Sequence, residues 1–241
     1  MFETFLIQPI YNGLVFLIDL MPQGDVGLAI IAATLIVRVA FYPAFTASIR
    51  TQMGMQAIQP QLDEINKQYK DDPKERTART MALFREHNVR PLSGILALVV
   101  QLPVFFGLYI AFFREGLPEI NHELLYPLVS APEVISTNFF GILNLLEPHN
   151  IPLAIIVGAT QYAAIRLTLT RMHDGTQTLS PERAATRKMQ RHMMLYFLPA
   201  LMTGFSYFFP SGVGLYFTAG NLVSLAQEWW IKKHRFGTTA R

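Results

Sequence analysis

Three observations predict an all-α polytopic membrane protein. Of 241 residues, 51% are hydrophobic and only 15% charged, and the mean hydropathy of +0.27 is too high for a soluble domain of this length. Apolar stretches at 26–47, 93–113, 151–170, 192–209 and 213–231 are each long enough to cross a bilayer as a helix. Lysine and arginine also alternate between the connecting segments, the pattern that sets topology. The expectation is one domain over residues 1–241: five transmembrane helices, an N-terminal interfacial helix and a cytoplasmic helical hairpin, with no room for a separate soluble domain.

Residues 1–25 form the expected interfacial part, outside the cytoplasm. The start, MFETFLIQPI, has neither a basic residue before its apolar run nor a small-residue cleavage pattern, so it is not read as a secretory signal. Gln8, Pro9, Asn12 and Asp19 interrupt the stretch, and Phe5, Pro9, Phe16 and Leu20 give one apolar helical face.

The first span, VGLAIIAATLIVRVAFYPAFTA, carries Arg38 near its middle, with Pro43 placed to kink its end. At about 1.5 Å per residue the guanidinium lies roughly 18 Å from either end, beyond the reach of a snorkelling side chain. A charge at that depth costs about 2.5–3.5 kcal/mol unless water or a polar partner reaches it, so the span is expected to border a wet or polar cavity. On an unbroken helix Thr34 and Tyr42, four residues to either side, would align hydroxyl, guanidinium and phenol in one stripe.

Residues 48–92 read as two helices. Met55, Ile58, Leu62, Ile65 and Tyr69 recur at spacings of three and four and make the seam of the first. Asp72 as N-cap, Pro73 at the first helical position and Glu75 three after the cap start the second, which is expected to offer Ala78, Met81 and Phe84. The second span, 93–113, contains Gln101 and Pro103. In 114–150, where Arg114 is the only strong base, the pieces Leu124 to Val129 and Phe139 to Leu146 are expected at the membrane interface. A polar loop, 171–190, follows the third span; Pro210, Ser211 and Gly212 join the fourth and fifth in a tight hairpin; a basic tail, 232–241, closes the chain.

The base count orients the chain. Arg50, Lys67, Lys70, Lys74, Arg76, Arg79, Arg85 and Arg90 fall in the first connection, Arg171, Arg183, Arg187, Lys188 and Arg191 in the third, and Lys232, Lys233, Arg235 and Arg241 in the tail. That distribution places hairpin, third loop and tail in the cytoplasm and the N-terminus outside. It also explains the net charge of +3 without invoking a nucleic-acid partner.

Catalysis finds little support. Cysteine is absent, the six histidines are scattered without metal-ligand spacing, no phosphate-binding loop is present, and Ser206 in Gly204-Phe205-Ser206-Tyr207 lacks a histidine partner. No cofactor or metal is expected, and the protein is not read as an enzyme. What remains is polarity at membrane depth: Gln101, Thr160, Gln161, Thr203, Ser206, Tyr207, Asn221, Ser224 and Gln227 are placed to share an interior with Arg38, and Glu228 is the only acidic residue in any span. A secondary transporter or channel with Arg38 as an anion site is the alternative reading, against which the absence of an internal repeat weighs. A passive scaffold built on the Met-bearing hairpin is a third.

LIVRVAFYP around Arg38, MALFREHNVRPLSG, LVVQLPVFFGLY and FFPSGVGLYFTAGNLVSLAQ occur in an order that resembles the YidC-type membrane protein insertases, a bacterial family shared with mitochondria and chloroplasts. The resemblance implies a five-span core with a hydrophilic groove open to the cytoplasm and the lipid but closed on the outside. It implies Arg38 as the groove arginine with Gln101, Tyr216 and Asn221 as neighbours; Thr34, Tyr42 and Gln161 complete the candidate set. The implied activity is that of an insertase and chaperone, which passes short polar tails of nascent membrane proteins and releases their apolar segments into lipid along the second and fourth spans. The implied partners are nascent membrane proteins, the ribosome through the basic tail and cytoplasmic loops, the Sec translocon and membrane lipids. The implied location is the bacterial cytoplasmic (inner) membrane. Where many members read N-P-x-G-x-C-x-P, this chain has Arg90-Pro91-Leu92-Ser93-Gly94-Ile95-Leu96-Ala97, without the Asn, the Cys or the second Pro.

Overall fold

The computed structural model describes residues 7–89, 105–107, 109–110, 117–170, 188–189 and 191–235, with the backbone alone described at 49–50, 52–53, 56, 170 and 231–235. Most of the expected second span, with Gln101 and Pro103, and nearly all of the loop 171–190 lie outside these residues.

Helix α1, Gln8–Leu20, does leave Pro9, Phe16 and Leu20 exposed, as its amphipathic pattern predicts, while Phe5 lies outside the described residues. Its other face is the tighter one: Tyr11, Asn12, Leu14, Val15 and Ile18 are buried. A turn over Pro22–Gly24 follows. Gly24 has φ +62° there, and a Cβ would overlap the carbonyl oxygen of Val134, so only glycine fits. Backbone bonds from Ser136 N to Gly24 O (2.9 Å) and from Val26 N to Ser136 O (3.0 Å) fasten the turn to the 117–150 segment.

Asp25 caps α2, Val26–Ala40, accepting from Leu28 N at 3.0 Å. The expected kink near Pro43 is present and is sharp. Phe41 leaves the helical region (φ −100°, ψ 18°), and α3, Tyr42–Ala57, sets off at 70° to α2. Pro43 supplies the reason: it has no N–H to give Val39 O, and its ring clashes with that carbonyl. Tyr42 therefore sits on a different helix axis from Thr34 and Arg38, and the three-residue polar stripe expected of a straight helix does not form.

Helices α4, Gln59–Gln68, and α5, Pro73–Glu86, form the hairpin. Asp72 caps α5 as expected, its Oδ1 accepting from Lys74 N and Glu75 N, both at 3.1 Å. Glu75 does not reach back to the cap; it takes Arg79 Nε at 2.8 Å. The seam is Ile58, Leu62, Leu83 and Val89, flanked by Met55, Ile65 and Phe84. Ala78 and Met81 face outward, contrary to expectation. The register is decided after α5: Asn88 adopts φ +52°, Val89 N bonds to Phe84 O (2.8 Å), and the chain folds Val89 back onto the side that carries Leu83.

Past residue 117 a two-stranded antiparallel hairpin, β1 (Asn138–Phe139) and β2 (Leu143–Asn144), turns through Phe140 and Gly141 at positive φ. It is the only sheet among the described residues, an addition to the expected all-α fold. The apolar pieces assigned to the interface mostly turn inward: Leu124, Leu125, Val129, Phe139, Leu143 and Leu146 pack against the main core and Leu145 is part of it. Only Leu128, Phe140 and Ile142 among them are strongly exposed.

Helix α6, Ile151–Thr170, begins at Asn150, whose side chain accepts from Leu153 N at 2.9 Å. A π-helical turn, Met193–Phe197, leads into α7, Leu198–Phe208. Pro199 explains that turn, since it withholds the N–H that Leu195 O would otherwise receive and the wider turn accommodates its ring. Helix α8, Ser211–Arg235, has 25 residues and extends into the first residues of the expected tail, 232–241. Ile151–Leu169 alone is long and apolar enough to cross a membrane, and Val26–Ala40 with Tyr42–Ser48 qualifies as a bent pair. The chain is thus mostly helical, with one or two such spans among the described residues.

Packing runs α1 to α2 to α8 to α6 to α7. Close approach of α6 and α7 depends on Gly158, where a Cβ would overlap Thr203 Oγ1. Gly158→Ala is expected to destabilise by about 1–3 kcal/mol through this overlap, and the double change Gly158→Ala/Thr203→Ala to recover most of the loss. Thermal unfolding of the three variants in one detergent checks the cycle; purely additive losses would show that the two residues are not in contact.

The main core gathers Tyr11, Leu14, Val15, Ile18, Val26, Ala29, Ile30, Leu117, Leu145, Leu215 and Tyr216 at the α1 end. Burial falls away along α2. Val26, Ala29, Ile30 and Thr34 are at most 4% exposed, whereas Leu35, Ile36 and Val39 reach 45%, 55% and 75%.

Candidate functional site

Arg38 sits in the last turn of α2, where the packed end gives way to the exposed one. Its Nη2 donates to the carbonyl oxygen of Gly220 on α8 at 3.2 Å, and its guanidinium carbon lies 4.4 Å from the centre of the Phe45 ring. Ser224 Oγ donates to the same Gly220 oxygen at 2.8 Å. Tyr216, one turn earlier on α8 and 2% exposed, interacts with Arg38 electrostatically. No carboxylate contacts Arg38 among the described residues. Glu228, two turns beyond Gly220, is buried and accepts from Thr168 Oγ1 at 2.8 Å.

The other sequence candidates divide. Thr34 is buried, but its hydroxyl donates to Ile30 O at 2.8 Å, one turn back on its own helix. Tyr42 lies beyond the break and is 44% exposed. Asn221 Nδ2 donates to Thr160 Oγ1 at 3.2 Å and so ties α8 to α6, with the half-buried Gln161 next along the chain. Gln101 lies outside the described residues. Thr203 donates to Pro199 O at 2.9 Å, and Tyr207 packs edge-on against His149 at the opposite end of the bundle from the hairpin. Ser206 is buried against Gly214.

Sequence reasoning passed over Phe45, Thr46 and Gly220. Gln227 Nε2 reaches Thr46 Oγ1 at 3.5 Å, so the first turn of α3 meets α8 at two adjacent side chains, one through Arg38 and one directly. Phe45 lies seven residues after Arg38, a signal visible in the sequence. Pro43 announces a kink between them, but not the 70° angle that brings the two together.

A guanidinium offers five N–H donors in one plane. Here one is taken by Gly220 and no acceptor among the described residues claims the rest. The arrangement suits binding of water or of a polar, preferentially anionic, chain segment. No group of side chains able to hold a metal occurs among the described residues.

A sequence model described as the 60Kd inner membrane protein family matches residues 17–238, nearly the whole chain. The chain belongs to this family. Similar proteins include the membrane protein insertase YidC of Pelobacter propionicus, 34% identical over 213 residues, which take in 87% of this chain and 35% of that protein. The protein of the same description from Campylobacter jejuni is 30% identical over 230 residues, 95% of this chain and 38% of the relative. That from Leptospira interrogans is 30% identical over 240 residues, 95% and 35%. The chain thus spans little more than a third of the length of the curated relatives it matches. The resemblance carried by the stretch around Arg38 and by the last hairpin is one of family membership, with this family's place in the inner membrane.

Proposed function

We propose that the chain is a membrane protein insertase in which Arg38 stands in a hydrophilic groove. The carrying observation is a half-buried guanidinium in the last turn of an apolar helix, held by a carbonyl and a ring and neutralised by no carboxylate among the described residues. Thr34, Tyr42, Gln101, Gln161, Tyr216 and Asn221 complete the proposed groove, and five spans with the N-terminus outside enclose it. The lysines and arginines of hairpin, third loop and tail face the cytoplasm in this reading, where they meet the ribosome and the Sec translocon.

The costly step of insertion is carrying a short polar tail through hydrocarbon; burying the apolar segment behind it is downhill by about 25 cal/mol per Å². A wet groove reaching Arg38 shortens the dry path to roughly half. Arg38 keeps water there and draws an acidic tail inward, and the membrane potential adds about 2.3 kcal/mol per charge for each 100 mV. The cycle needs neither ATP nor a covalent intermediate.

Photo-crosslinking tests the reading. A nascent membrane protein stalled on the ribosome is expected to crosslink to probes at Leu35 and Val39, beside Arg38, and not to probes at Ala29 in the packed end. Absence of any crosslink at 35 and 39, together with solute flux through the purified protein in liposomes, would replace the insertase with a transporter.

A further inference from the structure

We infer that Phe45 is the positioning residue for Arg38, and that the break at Phe41 exists to bring its ring beneath the guanidinium. The inference rests on the insertase reading for its functional consequence, though its geometry stands alone. On a straight helix, residues seven apart share a face roughly 10 Å apart along the axis and lean the same way, toward the N-terminus, so the Arg38 side chain would lean away from Phe45. In this fold, with a 70° bend between the two helices, the guanidinium carbon lies 4.4 Å from the ring centre. Phe45 is 7% exposed, while Phe41 and Tyr42, the other aromatic residues at the bend, are 46% and 44% exposed. The backbone at Phe45 is anchored on both sides: Phe45 N bonds to Phe41 O at 3.1 Å, and Gln227 of α8 donates to Thr46 Oγ1.

The choice of an aromatic ring has a physical reason. A carboxylate beside Arg38 would hold the guanidinium but cancel its charge. A ring attracts the cation through its quadrupole and leaves the net charge intact. With Gly220 O on one edge and Phe45 on one face, the guanidinium is held in a single attitude while its other donors stay available to an arriving tail.

Fluorination separates this role from simple packing, because each fluorine drains the ring's negative face while barely changing its size. Mono-, di- and trifluorophenylalanine at position 45, with Phe45→Tyr and Phe45→Leu, are compared in reconstituted insertion of a single-span substrate with an acidic tail. Insertion is expected to fall stepwise with fluorine number, about threefold to tenfold at the third, with Phe45→Leu as low and Phe45→Tyr close to the parent. Nitrogen-15 spectra of the full chain in nanodiscs give a readout independent of activity: the Arg38 Nε–H resonance, assigned by its loss in Arg38→Lys, is expected to carry an upfield ring-current shift that Phe45→Leu removes and Phe45→Tyr keeps. A fluorinated series that inserts like the parent, or an Arg38 resonance without the shift, overturns the inference. If the shift is present but Arg38→Ala inserts normally, the insertase reading of Arg38 has failed and the stacking has not.

Discussion

Arg38→Ala is expected to lower insertion of an acidic-tailed, single-span substrate by at least about tenfold, equivalent to about 1.4 kcal/mol of barrier, in liposomes containing only this protein. Its fold is expected to survive. The side chain is half-buried, makes one bond of 3.2 Å, and leaves behind a Gly220 oxygen that still accepts from Ser224. The lost interaction is therefore worth about 1 kcal/mol in stability, within the usual range for one hydrogen bond. Arg38→Lys is expected to fall between the two, since an ammonium keeps the charge but offers no plane to lie on Phe45. Equal insertion by all three proteins, at equal folded yield, would remove Arg38 from the mechanism. A tail without acidic residues is expected to narrow the gap between parent and Arg38→Ala, because attraction of charge is the property being tested.

Asn12→Leu is expected to act on the fold and at the other end of the bundle. Asn12 is 3% exposed, gives Nδ2 to Gln8 O and Leu124 O at 2.8 and 2.7 Å, and accepts Tyr126 N at 2.7 Å. Leucine keeps the branched outline of asparagine but is bulkier, so the loss combines unpaired polar partners with some crowding. Leu124 O and Tyr126 N, both part-buried, lose their partner at about 1–3 kcal/mol each, a total of about 2–6 kcal/mol. The neighbouring bond from Asn121 N to Tyr11 Oη, at 2.9 Å, belongs to the same clasp and weakens with it. Thermal unfolding in detergent is expected to drop by roughly 10 °C, and limited proteolysis to begin within 117–130. Phe16→Ser, on the exposed face of the same helix, is the control and is expected to leave both measurements near the parent's. If the two variants behave alike, α1 is not clasped by its buried face.

The contrast between those two faces shows what the sequence made legible. Period and composition find an exposed apolar face, such as Pro9, Phe16 and Leu20, because such a face is written in the spacing of its own residues. Asn12 reads as an interruption of the helix, since its partners are more than a hundred residues away and nothing local announces them. The start of α5 at Asp72 and the kink at Pro43 were readable for the opposite reason: each is set by the chemistry of a single local residue, while the extent of α6 followed from its long apolar run. The register of α5 was missed because a left-handed Asn88 outside the helix decides which side Leu83 presents. At the site, Arg38 stood out through its cost in hydrocarbon. Phe45 did not, since a phenylalanine in an apolar run looks like filler until the direction of the next helix is known.

The fall in burial along α2 has a mechanical consequence. Its first turns are wedged between α1, β1 and the start of α8, so the helix is fixed there as a lever is fixed at its fulcrum. Arg38 is twelve residues, or roughly 18 Å, out along the arm. A tilt of about 10° at the fulcrum sweeps the guanidinium sideways by roughly 3 Å, about the width of one water molecule, while the seated turns scarcely shift. Such a tilt works against the Arg38–Gly220 bond and leaves the core around Val26, Ala29 and Ile30 in place, so the far end of α2 is the end that can shift.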